Sequence, residues 1–275
     1  MTPAPLIEKI EHFRQAVHGH ENSCILIGGA ACSLWYADKE PSFHATGDLD
    51  IVLVVEALSE EFVESFHTYI IQSGYAVREK TLPDNTSRRI MYRFSNPADT
   101  RVPSQLELLS KKGELLRLEK NQKICPVKID DIYTGLSCIM MDDAYYQFLL
   151  GGRSVKNGIP CALPSTLIIL KIKAVLNLLH QYETRGNSPQ GSNESITNIR
   201  KHRNDVFLLL IGLSGEDCIS LPDSIASDVL EFKDRLPANS PDWQGILAHL
   251  QKMRKIILSP ADLTDLLDQV FHLNE

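Results

Sequence analysis

Two carboxylates lie two residues apart at the start of an apolar segment, in the stretch TGDLDIVLVV. Alternate residues of a β-strand point to the same side, so Asp48 and Asp50 would share one face. The apolar neighbours Leu49, Ile51 and Val52 predict a buried strand. Two unpaired carboxylates there would repel each other and would be costly to desolvate. A divalent cation such as Mg²⁺ or Mn²⁺, which prefers oxygen ligands, would relieve both penalties.

The segment before these acids predicts a strand, CILIGG, followed at once by a helix, AACSLWYA. Gly28 and Gly29 at this turn have no side chains, so backbone N–H groups can approach an anion there, and a helix N-terminus favours negative charge. Ser33, one turn into the helix, adds a hydroxyl that could donate to the same phosphate. A Gly-Gly pair alone more often only makes a turn. Followed by Asp-x-Asp on the next strand, it indicates phosphate binding beside a metal site.

The order strand, Gly-Gly, helix and strand with Asp-x-Asp resembles the nucleotidyltransferase superfamily typified by DNA polymerase β. That pattern includes a third acid on a later strand, and Glu107 in SQLELLS is the best match. The resemblance implies that Asp48, Asp50 and Glu107 are catalytic and hold two Mg²⁺ or Mn²⁺ ions. These ions would align an acceptor hydroxyl with the α-phosphoryl group of an NTP while pyrophosphate leaves. Glu107 could instead be an acid of an edge strand that faces water.

Two features of the motif concern the residues just before the acids. Thr46 keeps the hydroxyl that such motifs usually carry two positions before the first aspartate, and it is a candidate phosphate contact. Many relatives have an arginine four positions before that aspartate, whereas this chain has His44. Histidine is only partly charged near neutrality, so triphosphate affinity or substrate choice would differ.

The second half of the chain extends the resemblance. The stretches LPSTLIILKIKAVLNLL and KHRNDVFLLL are similar to the helical half of the AbiEii-like nucleotidyltransferases, which include toxins of bacterial toxin–antitoxin and abortive-infection systems. The similarity implies that Lys171 contacts the triphosphate and that Asp205 lies on the wall facing the nucleotide. Lys171 could instead be a solubilising lysine, with Lys173 as its nearest rival. Asp205 could simply pair with Lys201 or Arg200.

Hydrophobic periodicity divides the chain into two parts. The first half alternates helices and strands: a helix over residues 4–18, a helix between Ser59 and Gly74, and strands in YAVREK, RRIMYRFS and SQLELLS. From Pro164 onward the period is helical. The predicted helices after the one that begins there cover roughly residues 197–213, 222–236, 241–257 and 260–272.

We therefore predict a mixed-sheet nucleotidyltransferase domain of α/β or α+β class, followed by an all-helical domain. The predicted domains cover residues 1–160 and 161–275, and the helical one would complete the nucleotide cleft. The polar stretch ETRGNSPQGSNESIT between two predicted helices is long for a loop in a compact domain.

Composition excludes several classes of protein. Of 275 residues, 43% are hydrophobic and 23% are charged, which is ordinary for a globular chain and excludes extensive disorder. No apolar run reaches the length of a bilayer span, and the first twenty residues lack the pattern of a secretory signal. We therefore expect a cytoplasmic protein without a membrane partner. The six cysteines contain no Cys-x-x-Cys pair, which favours buried thiols over disulfides or zinc ligands.

The net charge of −7 is unevenly distributed, because residues 78–129 carry about +6 and residues 151–205 about +5. These basic stretches could bind RNA or the triphosphate, or they could be solvated edge-strand faces that deter aggregation. The candidates in the first stretch are Arg88, Arg89, Arg93, Arg101, Lys111 and Lys112. Arg89 and Arg93, four residues apart, are favoured to point inward together.

Together these patterns predict a metal-dependent nucleotidyltransferase that moves a nucleoside monophosphate from an NTP to an acceptor. The resemblance favours a toxin-like enzyme that acts on tRNA or a protein and is paired with an antitoxin. Two alternatives remain open, a small-molecule nucleotidyltransferase of the antibiotic-modifying kind and a non-catalytic nucleotide-binding module of the same fold. The second would be favoured if Glu107 faced away from the aspartates.

Overall fold

The fold was determined as a computed structural model. It describes residues 6–37, 43, 47–81, 87–111, 124–129, 132–184, 192–213 and 218–273. Contacts divide the chain into two compact units. The first comprises residues 1–37 and 42–162, and the second includes residues 163–275.

The first unit is a mixed α/β structure, which confirms the predicted fold class at that level. Within the described residues its strands are β1 (Cys24–Ile27), β2 (Asp48–Leu53), β3 (Ala76–Thr81), β4 (Ser87–Ser95), β5 (Gln105–Lys111), β6 (Ile124–Ile129), β7 (Ile132–Met141), β8 (Arg153–Lys156) and β9 (Ile159–Ala162). Its helices are α1 (Leu6–Ala16), α2 (Gly28–Trp35), α3 (Glu60–Gln72) and α4 (Asp143–Gly151).

The strands form one mixed sheet in the order β3-β4-β7-β5-β2-β1-β9-β8, with β6 paired to β7. The central strand β2 runs antiparallel to β1 and parallel to β5. Strand β5 changes partner along its length, because its first half pairs with β4 and its last residues pair with β7. The start of β2 therefore lies between the end of β1 and the start of β5.

Strand β2 is central because its apolar residues are buried on both faces. Leu49, Ile51, Val52 and Leu53 are each fully buried. Such a strand exposes less apolar surface to water at the centre of a sheet than at its edge. Each buried aliphatic side chain contributes about 1.5–3 kcal/mol to the stability of the fold. Its two carboxylates are confined to the first three residues, at the rim of the buried region.

Helix α3 covers one face of this sheet. Its N-cap is Ser59, whose hydroxyl accepts a hydrogen bond from the backbone N–H of Phe62 at 3.2 Å, as the sequence predicted. The ring of Phe66 packs edge-on against that of Phe94 on β4, with centroids 5.8 Å apart. Phe94 is the register partner of Leu106 on β5. Since side chains alternate along a strand, Arg93 and Glu107 point to the opposite face.

The second unit is built from helices in its described residues. They are α5 (Pro164–Thr184), α6 (Ser192–Leu210), α7 (Asp223–Asp234), α8 (Asp242–Arg254) and α9 (Pro260–Phe271). Phe207 of α6 contacts the rings of Phe232 on α7 and Trp243 on α8, at centroid distances of 6.0 and 5.2 Å. Ser259 and Asp262 form a capping box at the start of α9. The ring contacts join α6, α7 and α8 around an aromatic core.

Two parts of the fold differ from the sequence-based prediction. Helix α6 begins at Ser192 rather than near residue 197. Ser and Asn suit the N-terminus of a helix, so the polar residues before 197 can form its first turn. Residues 124–162 add β6, β7, α4, β8 and β9, which the patterns did not predict. The turn between β8 and β9 has Asn157 and Gly158 at φ 53° and 76°, the conformation that a two-residue hairpin turn requires.

None of the described helices has both the length and the apolar character needed to cross a membrane.

Candidate active site

A row of four residues crosses the sheet at the level of Asp50. The register pairs Ile27 on β1 with Asp50 on β2, Asp50 with Glu107 on β5, and Glu107 with Arg93 on β4. Neighbouring strands lie about 4.8 Å apart, and register partners point to the same face. The structure therefore brings Asp50 and Glu107 side by side on the face opposite α3, so Glu107 does not face away from the aspartates.

Asp48 lies on the same face, two residues before Asp50 and at the exposed rim. Its register partner is Gln105, and its Oδ1 accepts a hydrogen bond of 3.0 Å from the hydroxyl of Ser104. The backbone N–H of Ser104 donates to the carbonyl of Gly47 at 2.7 Å. The loop before β5 is thus tied to the start of β2, and it orients Asp48 beside the other two acids.

Gly28 lies against the carboxylate of Asp50. Ile27 at the end of β1 is the register partner of Asp50, and Gly28 directly follows it. Gly28 has φ 69°, and a Cβ at this position would clash with Oδ2 of Asp50 and lie 3.1 Å from its carboxyl carbon. Glycine is therefore required here both by the backbone conformation and by the close approach of the carboxylate.

Helix α2 begins at Gly28, directly after β1, and lies against β1 and β2. Its N-cap, Ile27, provides no side-chain hydrogen bond, so its first backbone N–H groups receive no capping from that residue. Gly28 and Gly29 thus form the first turn of α2, and Gly28 contacts Asp50. Phosphate binding by these two residues stays a prediction. Ser33 differs from the expectation. Its hydroxyl donates to the carbonyl of Gly29 at 3.0 Å, and the residue is only 8% exposed, so a phosphate contact would require this bond to break.

Glu107 is engaged by a guanidinium group. The Nε of Arg93 donates to Oε1 of Glu107 at 2.9 Å, and its Nη2 donates to the same oxygen. The hydrogen bond to Glu107, followed by the negative charges of Glu107 and Asp50, raises the pKa of Arg93, although partial burial opposes this shift. Arg93 therefore supplies positive charge to the carboxylate face, the face of the sheet that carries Asp48, Asp50 and Glu107. The sequence favoured Arg93 as an inward-pointing residue, and its side chain forms a direct ion pair with Glu107.

The other basic residues predicted to form an RNA surface are only partly described. Arg101 forms an ion pair of 2.7 Å with Asp99, and the Arg101 side chain and backbone lower the pKa of Asp99 to about 2. Lys111 is paired with Glu56. The backbone of Arg88 and Arg89 lies on β4, but their side chains lie outside the described part of the structure, and so do His44, Thr46 and Lys112.

Lys111 and Glu56 belong to a cluster that the sequence analysis did not predict. The hydroxyl of Tyr146 on α4 donates to Oε2 of Glu56 at 2.6 Å and accepts from the backbone N–H of Val55 at 3.1 Å. Lys111 follows Glu107 by four residues on β5, about 13 Å along the strand. The cluster thus ties α4 to the far end of β2, and no local pattern links Tyr146 to Glu56 in the sequence.

In the second unit, Lys171 and Asp205 are paired with each other. Nζ of Lys171 on α5 lies 2.8 Å from Oδ2 of Asp205 on α6, and the two side chains are 7% and 3% exposed. Nδ1 of His202 lies 3.5 Å from the same ammonium group. Burial, and then the charge of Lys171, lower the pKa of His202 to about 4, while Asp205 opposes this shift. Asp205 therefore pairs with Lys171 rather than with Lys201 or Arg200, the alternatives considered from the sequence.

Lys173, the rival for the phosphate role, makes a different pair. Its Nζ lies 2.7 Å from Oδ2 of Asp228 on α7, and the two side chains are 32% and 20% exposed. Lys171 is thus the buried lysine of α5 and Lys173 the more exposed one, since they lie about 200° apart around the helix. Contact of Lys171 or Asp205 with a nucleotide stays a prediction.

The acids on the sheet have the donor chemistry that suits a hard divalent cation. Carboxylate oxygens are the ligands that Mg²⁺ and Mn²⁺ prefer. The absence of a side chain at Gly28 lets the carboxylate of Asp50 lie against the turn between β1 and α2. Cys24, Cys32 and Cys161 are buried free thiols, and burial raises the pKa of Cys24 to about 12, which does not suit a thiolate site. Over the described ranges, no group of three or more His, Cys, Asp or Glu side chains is arranged around a metal position. Glu107 is directed to Arg93 instead.

Comparisons of this chain with protein-family models, with curated proteins and with solved structures find no match.

Proposed function

We propose that the protein is a metal-dependent nucleotidyltransferase that moves a nucleoside monophosphate from an NTP to an acceptor. The observation that carries the proposal is the direct pairing of Asp50 with Glu107 on adjacent parallel strands, with Asp48 on the same face. Like-charged carboxylates close together at the rim of a buried sheet repel one another, and a divalent cation would relieve that repulsion. The close fit of Gly28 against Asp50 is a second support.

In this proposal each residue has a defined task. Asp48 and Asp50 hold Mg²⁺ or Mn²⁺, and Glu107 helps to hold the second ion and to accept the proton of the attacking hydroxyl. The backbone N–H groups of Gly28 and Gly29 bind phosphate oxygens at the N-terminus of α2. When bound, the metal would polarise the α-phosphoryl group and stabilise the charge that develops as pyrophosphate leaves.

The resemblance to AbiEii-like toxins favours tRNA or a protein as the acceptor, a cytoplasmic location and a cognate antitoxin as a partner. The surplus of positive charge in residues 78–129 and 151–205 is compatible with an RNA acceptor. Lys171 and Asp205 would contribute to nucleotide binding only if their mutual pair opened.

A small-molecule acceptor is the second candidate, and one observation favours it. Arg93, Arg101 and Lys111 are the basic residues of the first stretch whose side chains are described, and each is paired with a carboxylate. Paired guanidinium and ammonium groups attract a polyanion less than unpaired ones, because the neighbouring carboxylate cancels much of their field. A small acceptor, such as an aminated or hydroxylated antibiotic, would not need that field.

The test is transfer of a labelled α-phosphate. The protein is incubated with each of the four α-³²P-labelled NTPs, Mg²⁺, and either total RNA, the protein alone or a panel of aminoglycosides. Asp48→Asn and Asp50→Asn should lower the rate by about a thousandfold, because each removes a metal ligand worth several kcal/mol. The matched control is Asp143→Asn, the same change at an exposed aspartate on α4.

The outcomes separate the candidates. Label in RNA or in the protein supports the toxin-like enzyme, and label only in the small molecules supports the second candidate. Absence of label with every NTP and acceptor, while the nucleotide still binds, would favour the non-catalytic module. Equal loss of activity in Asp143→Asn would contradict the assignment of the acids.

A further inference from the structure

Arg93 is linked to the carboxylate face through the register of the sheet. It lies on β4 directly opposite Glu107, and Glu107 lies directly opposite Asp50. The side chains of Arg93 and Glu107 are 38% and 17% exposed. Arg93 is therefore accessible enough to move, while the carboxylate that it contacts is largely enclosed by the sheet.

The hydrogen bonds between them share one acceptor atom. Both Nε and Nη2 of Arg93 donate to Oε1 of Glu107. A guanidinium that binds both oxygens of a carboxylate in a fork is held more firmly than one that converges on a single oxygen. The Arg93 contact is thus of the weaker, exchangeable kind.

A divalent cation between Asp50 and Glu107 would compete with this contact. The ion would need a carboxylate oxygen of Glu107, and Arg93 occupies Oε1. A guanidinium beside a dication also repels it, because like charges a few ångströms apart in a part-buried site interact strongly. Both effects oppose metal binding as long as Arg93 stays in place.

We propose that Arg93 is an internal counter-cation of the carboxylate face, which occupies Glu107 when no metal is bound and is displaced from it when a divalent cation binds. This inference rests on the metal site of the proposed function. Arg93 is thereby a positioning residue that sets the threshold for metal loading, and it releases Glu107 only when the ion takes its place. On release, its guanidinium is free to meet an anion that arrives with the metal.

The experiment measures binding of Mn²⁺ alone, by the electron paramagnetic resonance signal of the free ion. Arg93→Met should bind Mn²⁺ about fivefold more tightly than the wild-type protein, which is the effect of removing a part-exposed ion pair. Arg93→Lys keeps the charge and should stay within about twofold of wild type. Arg101→Met removes an arginine whose partner is Asp99 and should change nothing.

A double-mutant cycle keeps the inference testable if Arg93→Met affects folding. In the Glu107→Gln background, Arg93→Met should tighten Mn²⁺ binding by a smaller factor, because the competition for the carboxylate is gone and only the repulsion between the guanidinium and the ion is left to relieve. Equal or weaker Mn²⁺ binding by folded Arg93→Met, the same gain in both backgrounds, or no Mn²⁺ binding by any variant would overturn the inference.

The same variants distinguish this inference from the proposed function. Tighter Mn²⁺ binding by Arg93→Met without nucleotidyl transfer by the wild-type protein supports the counter-cation and contradicts the enzyme. Transfer by the wild-type protein with unchanged Mn²⁺ binding in Arg93→Met supports the enzyme and contradicts the counter-cation.

Discussion

The carboxylate face of the sheet and the buried ion pair of the helical unit differ in how their charged side chains are arranged and exposed. On the sheet, Asp48, Asp50 and Glu107 share one face, the guanidinium of Arg93 contacts Glu107, and Asp48 is exposed at the rim. In the helical unit, one ammonium group meets one carboxylate, and both side chains are less than a tenth exposed. The first arrangement places several carboxylates on one face near water, and the second buries a single pair of opposite charges.

This difference indicates that the sheet face is suited to bind a cation, whereas the buried pair is suited to stabilise the helical unit. A balanced buried pair is costly to open, because either partner alone would be an uncompensated charge in a medium of low dielectric constant. A carboxylate at a solvated rim, such as that of Asp48, can meet a cation without the opening of a buried ion pair. The expectation of a triphosphate-binding Lys171 therefore carries an energetic condition that the expectation for Asp48 and Asp50 does not.

The largest effect is expected when the buried pair is broken. Lys171→Met leaves Asp205 buried without its counter-charge, so the free energy of unfolding should fall by about 3–5 kcal/mol. The matched control is Lys173→Met on the same helix, whose pair with Asp228 is more exposed and should cost about 1 kcal/mol or less. Guanidinium chloride denaturation measures both. Similar losses of unfolding free energy in the two variants would contradict the distinction between the buried pair and an ordinary surface pair.

A second effect should appear with pH. Above pH 6.5 His202 is neutral in both states, whereas below it the unfolded chain takes up a proton that the folded protein resists until about pH 4. The unfolded state then binds more protons, so stability falls as the pH drops through this window, by up to about 3 kcal/mol. His202→Gln should flatten this part of the stability profile. An unchanged profile would show that His202 does not carry the shift.

The smallest effect is the difference in stability between two glycine variants, Gly28→Ala beside Asp50 and Gly19→Ala before β1. Gly28→Ala introduces a left-handed alanine and a Cβ that clashes with Asp50, whereas Gly19→Ala introduces the strain at φ 83° with nothing within 4 Å. Backbone strain should cost about 1–2 kcal/mol in each variant. The clash should add about 1–2 kcal/mol more in Gly28→Ala alone. Equal stabilities of the two variants would mean that Asp50 does not lie against Gly28.

Much of the fold around the site follows from local signals in the chain. Ser59 predicts the start of α3, and the apolar residues on both faces of β2 predict its central place. The strands after residue 111 escaped prediction, although Asn157-Gly158 is a strong hairpin signal. The parallel pairing of Leu26 with Cys161 joins β9 to β1, and single-sequence patterns carry no information about such distant partners.

The candidate site likewise has features that local sequence signals predict and features that depend on distant partners. The spacing of Asp48 and Asp50 and the neighbouring glycines give its location from the sequence. The ion pair of Arg93 with Glu107 depends on the register between β4 and β5, and the loop that joins them does not reveal that register. The pair of Lys171 with Asp205 depends in the same way on how α5 packs on α6.

The most direct test of the central claim is to locate a metal ion. Crystals of the protein soaked in Mn²⁺ together with a non-hydrolysable NTP are measured at a wavelength where manganese scatters anomalously. The account predicts a peak about 2.1 Å from carboxylate oxygens of Asp48 and Asp50, with Arg93 no longer on Glu107. A bound nucleotide without a peak at these carboxylates, or a peak elsewhere on the chain, would contradict it.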